Sequence, residues 1–311
     1  MIDYKSELIS SLDFAKVNLG KDELHLCGDN GNYANLLFET SDDDEVNKEM
    51  YDTETALTIY RNFLNWLFST FEISEDKFRK DCIKYLELDE GEKVLVTSCG
   101  LGEDVAICCD AVGDKGFVHA QDLSEQFIDY VAQKTTHNNV VFTVSNALHL
   151  PYKDDFFDGV YHFGGINLFG DIKQAISEMN RVCKIGGRIL FGDESIALHL
   201  RETDYGKMFI KNNNLWEKRL PLEHLPICAH NISIRYVLGN CFYLIGFEKQ
   251  TDFPDVDIDV EHIGHRGGTV RKRYFGELEG VDETLKKKIY EYANENNKSV
   301  SRLLEEMISK L

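Results

Sequence analysis

Gly100 and Gly102 stand where an apolar run, Val94-Leu95-Val96, passes into a helix-forming segment, reading Thr97-Ser98-Cys99-Gly100-Leu101-Gly102-Glu103-Asp104-Val105. Glycine takes positive φ at no steric cost and lets a ligand approach the backbone, and a following helix N-terminus favours negative charge. Dinucleotide sites place a third glycine where Val105 stands, and Glu103 and Asp104 in the first helical turn repel a pyrophosphate, so NAD is disfavoured. Some twenty residues on, Asp122 ends the next apolar run, the place of a carboxylate that accepts hydrogen bonds from ribose hydroxyls.

Two further groups follow apolar runs. His162-Phe163-Gly164-Gly165-Ile166-Asn167 closes one and Asp193-Glu194 closes another. Ligands of open α/β sheets bind at the carboxyl ends of strands, so His162 or Asp193 could serve as base or orienting group, with Asn167 as a substrate or cofactor contact. His199, His224 and His230 fit no short metal-binding spacing and no C-x-x-C pair occurs, so no metal is expected. In His265-Arg266-Gly267-Gly268-Thr269 the guanidinium and glycine backbone could receive a carboxylate or phosphate. The same basic stretch reads equally well as a protected strand edge or a dimer contact.

The elements that must position these residues alternate. From Glu92, short apolar runs around 94–96, 117–118, 140–144, 159–161 and 188–191 are separated by helical segments. That order predicts βαβ units, a parallel sheet and helices on both faces. Residues 232–238 and 242–247, joined by Gly239-Asn240, read as a hairpin closing the sheet. Residues 1–90 read as a helical cap, with helices over 56–68 and 74–86 and a solvated acidic loop at 41–45. The cofactor domain is expected at 91–250 with an insertion at 194–231, and an extension at 251–311. In that extension an extended piece, Thr269 to Phe275, precedes helices near 282–294 and 299–310, with Ser299 as an N-cap. This order resembles a ribbon–helix–helix unit, which pairs with a second copy, so a homodimer is expected.

The motifs together resemble the class I S-adenosylmethionine-dependent methyltransferases, within the branch of the ubiquinone/menaquinone-biosynthesis type. The likeness rests on Val94 to Gly102, Asp122-Leu123-Ser124, Asn146-Ala147, Leu150-Pro151-Tyr152 through Phe157-Asp158, and Arg181 to Gly187, and covers roughly residues 90–195. It implies a Rossmann-like α/β fold with a seven-stranded, mostly parallel sheet whose last strand is antiparallel, and S-adenosylmethionine as cofactor. It makes Ser98, Cys99, Gly100 and Gly102 of the glycine motif cofactor contacts, with Asp122 and Leu123 at the ribose, Asn146 and Ala147 at the adenine, and Phe163 a further cofactor contact. Tyr51-Asp52 resembles a Tyr-Asp pair upstream of the family's glycine motif, which would bring Tyr51 to the methionine end. Thr97 and its neighbours stand where the family usually has an acidic residue, and Asn146 replaces the commoner Asp. A sulfonium is an activated methyl donor, so alignment can supply much of the rate and a general base is optional.

Composition narrows the acceptor. With 34 Lys and Arg against 54 Asp and Glu, the chain carries −20, which disfavours binding a phosphate backbone. The segment 262–311 alone is slightly basic, with ten Lys and Arg against eight Asp and Glu. No Asn/Asp-Pro-Pro-aromatic sequence follows the fourth strand, against an amino-methylating nucleic-acid enzyme. The expectation is transfer to a small molecule, one with an acidic group if Arg266 receives it. A nucleic-acid methyltransferase and a non-catalytic cofactor-binding protein are the alternatives. Scattered cysteines, the absence of a roughly 20-residue apolar run and an N-terminus unlike a secretory signal point to the cytoplasm, away from the membrane.

Overall fold

Apolar runs buried on both sides become the strands of a nine-stranded sheet in the computed structural model, which describes every residue except 1–3, 18, 19, 21, 22, 29, 30, 54, 265, 266, 276, 277, 279 and 311. The strands are β1 (Leu26–Cys27), β2 (Tyr33–Asn35), β3 (Lys93–Thr97), β4 (Phe117–Asp122), β5 (Val140–Val144), β6 (Phe157–Phe163), β7 (Cys183–Glu194), β8 (Ala229–Val237) and β9 (Phe242–Lys249). Their order is β1-β2-β5-β4-β3-β6-β7-β9-β8. Strands β3 to β7 run parallel; β9 is antiparallel to β7, and β8 to β9.

The seven strands from β3 onward answer the sequence expectation, including the antiparallel last strand. Two more, β1 and β2, extend the β5 edge, where Ala34 and Asn35 pair with Thr143 and Val144. At two and three residues they are too short to show a period of two, which is why the strand count rises from seven to nine.

Alternation along each strand divides the interior into two cores. Val94, Val96, Tyr161, Leu190 and Phe242 face one side, with helices α4 (Ala56–Thr70), α5 (Glu75–Ile83) and α6 (Glu103–Val112). Leu95, Val160, Ile189, Phe191 and Tyr243 face the other, with α1 (Tyr4–Ser11) and α8 (Ile172–Val182). The short α2 (Phe14–Val17) follows α1, α3 (Asp42–Tyr51) precedes α4, α7 (Glu125–Lys134) links β4 to β5, and α9 (Asp204–Asn212) lies in the segment between β7 and β8.

The acidic run expected as a solvated loop is instead the first turn of α3. Ser41 Oγ accepts from Asp44 N at 3.2 Å, and Asp44 Oδ2 accepts from Ser41 N at 2.8 Å, a reciprocal capping box. Four carboxylates at the positive end of the helix dipole suit that position. Ser41→Ala is expected to cost about 1 kcal/mol, read as faster hydrogen exchange across α3; unchanged exchange would show that the box contributes nothing.

The chain forms two compact units, residues 1–253 and 254–311. In the second, α10 (Val270–Phe275) precedes α11 (Glu283–Glu295) and α12 (Val300–Ile308), with Ser299 capping α12 as expected. The piece expected to be extended is thus α10. An isolated strand leaves its ladder groups unpaired, whereas a helix closes them within the chain, as Arg273 N does on Thr269 O at 3.2 Å. No helix among the described residues is long and apolar enough to cross a membrane.

Candidate cofactor and substrate site

The turn after β3 is held in left-handed backbone, with φ of +50° at Ser98, +53° at Gly100 and +84° at Gly102. A Cβ on Gly102 would lie 2.5 Å from Val131 Cγ1, so this glycine lets α6 start against α7. Gly100 N donates to Asp122 Oδ2 and Ser124 N to Asp122 Oδ1, each at 3.0 Å. Desolvation pushes the Asp122 carboxyl up to about 6, while backbone donors at Ser124, Gly100 and Leu123 pull it down. A carboxylate has about four acceptor positions, so Asp122 retains capacity for a ligand's hydroxyls. Cys99 N donates to Gln121 O at 2.9 Å, and burial raises the Cys99 thiol well above its ordinary range, so it is a neutral thiol. The Gln121 side chain accepts from Ser98 N at 3.3 Å and donates to Ser145 O, tying together the ends of β3, β4 and β5.

Helix α3 straps across this edge. Asn47 Nδ2 donates to Leu168 O at 2.9 Å, Asp44 Oδ2 accepts from Asn146 Nδ2 at 2.9 Å, and Asp52 Oδ1 accepts from Ser124 Oγ. The loops after β4, β5 and β6 are therefore each tied to α3 or to the residue just after it. Tyr51, at the helix end, packs edge-on against Phe127 with centroids 6.0 Å apart. Burial, then the carboxyls of Asp122, Glu194 and Asp193, raise its hydroxyl to about 12, so it stays a hydrogen-bond donor at neutral pH. Tyr51 thus lies within electrostatic reach of Asp122 and of the carboxyls that end β7.

Asn146 is tied into its surroundings by both ends of its amide. Its oxygen already accepts from Leu148 N at 3.0 Å, and its amide donates to Glu39 O at 3.0 Å as well as to Asp44. Asn146 and Ala147 are both buried; Asn146 anchors the strap and keeps a single acceptor position unspent.

His162 and Asp193 lie behind the turn that follows β6. His162 is wholly buried, with Thr97 Oγ1 at 3.0 Å from Nδ1 and no partner for Nε2 among the described residues. Burial lowers its pKa to about 4, with Asp193 acting against that, so the ring is neutral. Asp193 Oδ2 accepts from Asn167 N at 2.6 Å and its Oδ1 from Glu194 N at 2.8 Å, while Asn167 Nδ2 donates to Glu194 O at 2.8 Å. Asp193 and Asn167 thus brace the Gly164–Leu168 turn against the end of β7, where Gly164 and Gly165 have positive φ and a Cβ on either would meet nothing within 4 Å, while the His162 ring packs against Phe169. Phe163 packs between Phe78 and Phe242, with centroids at 5.0 and 5.8 Å. His265 and Arg266 lie outside the described residues.

Sequence reasoning passed over Glu194, Asp44 and Asp52. Glu194 is 8% exposed, and burial and the neighbouring Asp193 carboxyl push its pKa well above the ordinary glutamate range. Its only signal was its place beside Asp193. Asp44 lay hidden in the acidic run, and Asp52 beside Tyr51.

The order β5-β4-β3-β6-β7-β9-β8 with one antiparallel strand, a glycine turn after β3 and an acidic residue ending β4 defines the class I methyltransferase fold. The sequence profile of the ubiE/COQ5 methyltransferase family matches residues 55–211, just over half of the chain, and the chain belongs to that family. It is similar to the demethylmenaquinone methyltransferase of Shouchella clausii (strain KSM-K16), 31% identical over 147 residues, which are 46% of this chain and 62% of that protein. The corresponding protein of Geobacillus sp. (strain WCH70) is 28% identical over 240 residues, 70% of this chain and 92% of that one. The chain thus spans less than two thirds of the first relative's length. Haemonchus contortus phosphoethanolamine N-methyltransferase 2, solved in complex with S-adenosyl-L-methionine, shares the fold at a TM-score of 0.51 and 14% identity, covering 68% of this chain and 61% of that one.

Proposed function

We propose that this protein is an S-adenosylmethionine-dependent methyltransferase whose acceptor is a small, apolar, ring-bearing molecule of the naphthoquinol class. The observation that carries the reading is Asp122: a carboxylate bound to the glycine turn, with acceptor capacity unspent and within electrostatic reach of Tyr51. The named relatives are demethylmenaquinone methyltransferases, which supports an apolar acceptor of that kind.

The residues fit the cofactor. The Asp122 carboxyl and those ending β7, within electrostatic reach of Tyr51, suit a cationic ligand. When bound, S-adenosylmethionine supplies a methyl group on positively charged sulfur. Asp122 would accept from the ribose hydroxyls, and Tyr51 with the carboxyls ending β7 would lie toward the cationic methionine end. Helix α3 ties the loops after β4, β5 and β6 together, and Asp193 and Asn167 hold the turn after β6 in place. Chemistry of this kind rests on alignment, and the methylated acceptor releases one proton.

Calorimetric titration with S-adenosylmethionine and S-adenosylhomocysteine, with NADH as control, followed by methyl transfer to a demethylmenaquinol, tests the reading. Saturable binding without turnover of any acceptor would favour a non-catalytic binding protein, and tight NADH binding would remove the methyltransferase. A cytoplasmic location and pairing of two copies through the C-terminal unit complete the proposal; a monomer mass by light scattering would eliminate the pairing.

A further inference from the structure

Four backbone donors of the glycine turn are engaged within the protein. Ser98 N donates to Gln121 Oε1 at 3.3 Å, Cys99 N to Gln121 O at 2.9 Å, Gly100 N to Asp122 Oδ2 at 3.0 Å and Gly102 N to Cys99 O at 3.0 Å. The two guanidiniums that reach the first turn of α6, those of Arg61 and Arg79, pair with Glu75, Glu103 and Asp104. An anionic group lying on this turn therefore depends on a side-chain donor.

Tyr60 occupies that position. It belongs to the core-facing stripe of α4, four residues after Ala56 and four before Leu64, both buried. Its ring lies on Gly100: a Cβ there would be 3.0 Å from Tyr60 Cε1 and 3.5 Å from its hydroxyl oxygen, so the glycine makes room for the phenol. The ring packs edge-on against Phe127 with centroids 5.6 Å apart, and Tyr51 packs edge-on against the same ring at 6.0 Å. The pairs of Arg61 with Glu75 and Glu103 hold α4 to α5 and α6, which fixes the phenol over the turn. Tyr60 is half-buried, and its hydroxyl has no hydrogen-bond partner among the described residues, although a phenol placed this way ordinarily finds one. Burial raises its pKa, so it keeps its proton at neutral pH.

Resting on the methyltransferase reading, we propose that the Tyr60 hydroxyl donates a hydrogen bond to the carboxylate at the amino-acid end of S-adenosylmethionine. That carboxylate is the cofactor's one anionic group, whereas the ribose hydroxyls are donors and go to Asp122. A neutral donor suits a turn surrounded by carboxyls, since it meets the ligand's anion without itself being drawn into an ion pair with Asp122, Glu103 or Asp104. Ser98 Oγ, the turn's own hydroxyl, also lacks a partner among the described residues, so removal of the Tyr60 hydroxyl leaves one donor in place. Helix α4 thereby selects ligands that retain the amino-acid carboxylate over those that lack it.

The test is calorimetric titration of the wild type and Tyr60→Phe with S-adenosylhomocysteine and with its decarboxylated analogue, which keeps the adenosine, the thioether and the amine. Phenylalanine keeps the ring on Gly100 and removes only the hydroxyl. Tyr60→Phe is expected to bind S-adenosylhomocysteine about tenfold more weakly than the wild type and the analogue within about twofold of it. Equal losses for the two ligands would put the hydroxyl on another part of the cofactor. Unchanged binding of S-adenosylhomocysteine would make Tyr60 a packing group, and a wild type that binds both ligands equally would show that no donor meets the carboxylate. Each of these overturns the inference. A wild type that does not bind S-adenosylhomocysteine at all would instead remove the reading beneath it.

Discussion

Asp122→Ala is expected to weaken S-adenosylhomocysteine binding by roughly 100-fold, because hydrogen bonds to a charged group contribute about 1.5–3 kcal/mol and 1.4 kcal/mol is tenfold. Two losses combine. The ribose hydroxyls lose their acceptor, and Gly100 N and Ser124 N lose the oxygens that fix the turn. The pH dependence has a defined sign: the carboxyl titrates near 6, above the ordinary aspartate range, so acidification through that value removes the acceptor and affinity falls. Asp122→Asn should show weak binding without that step. Titration of the variants at pH 5 and 7.5 checks both points, and an Asp122→Ala protein that binds as the wild type would end the assignment of this residue.

Arg79→Ala carries the largest expected cost in stability. The Arg79 guanidinium pairs with Asp104 and, at 2.8 Å, with Glu75; the Arg79 and Asp104 side chains are 5% and 9% exposed. Burial raises Asp104 even with Arg79 beside it, so removing the cation strands a carboxyl in the first turn of α6, directly after the glycine turn. Breaking one side of a buried pair costs about 3–5 kcal/mol. In a unit of this size that is a fall in Tm of roughly 10 °C. Replacing both partners, Arg79→Met with Asp104→Leu, should recover most of the loss, since apolar groups of similar volume remove the stranded charge. A double variant as unstable as the single one would place the cost in packing.

The two predictions draw on residues of different legibility. Asp122 was legible because a strand, a glycine turn and a carboxylate some twenty residues later are neighbours along the chain. Arg79 was not, since nothing in Phe78-Arg79-Lys80 distinguishes a buried arginine from a solvated one until α5 meets α6. Asn146 shows the intermediate case: its position was read from the motif, yet its donors are spent on Asp44 and Glu39, over a hundred residues away along the chain.

What the sequence by itself determined is what short-range periodicity and turn chemistry control: the strand–helix alternation, the hairpin at 239–240, the glycine turn and the capped helices. These depend on side-chain spacing and on φ, which are local. The tertiary structure alone decided which polar groups lose water and which partners they meet. It made the acidic run at 41–45 the start of a strap, placed Asp193 as a brace with Glu194 buried beside it, and added β1 and β2 at the sheet edge. It also made 270–275 a helix, with no strand to pair with among the described residues of that unit. Each outcome turns on burial and on contacts between distant segments, and the free energy of desolvating a charge has no counterpart in local spacing.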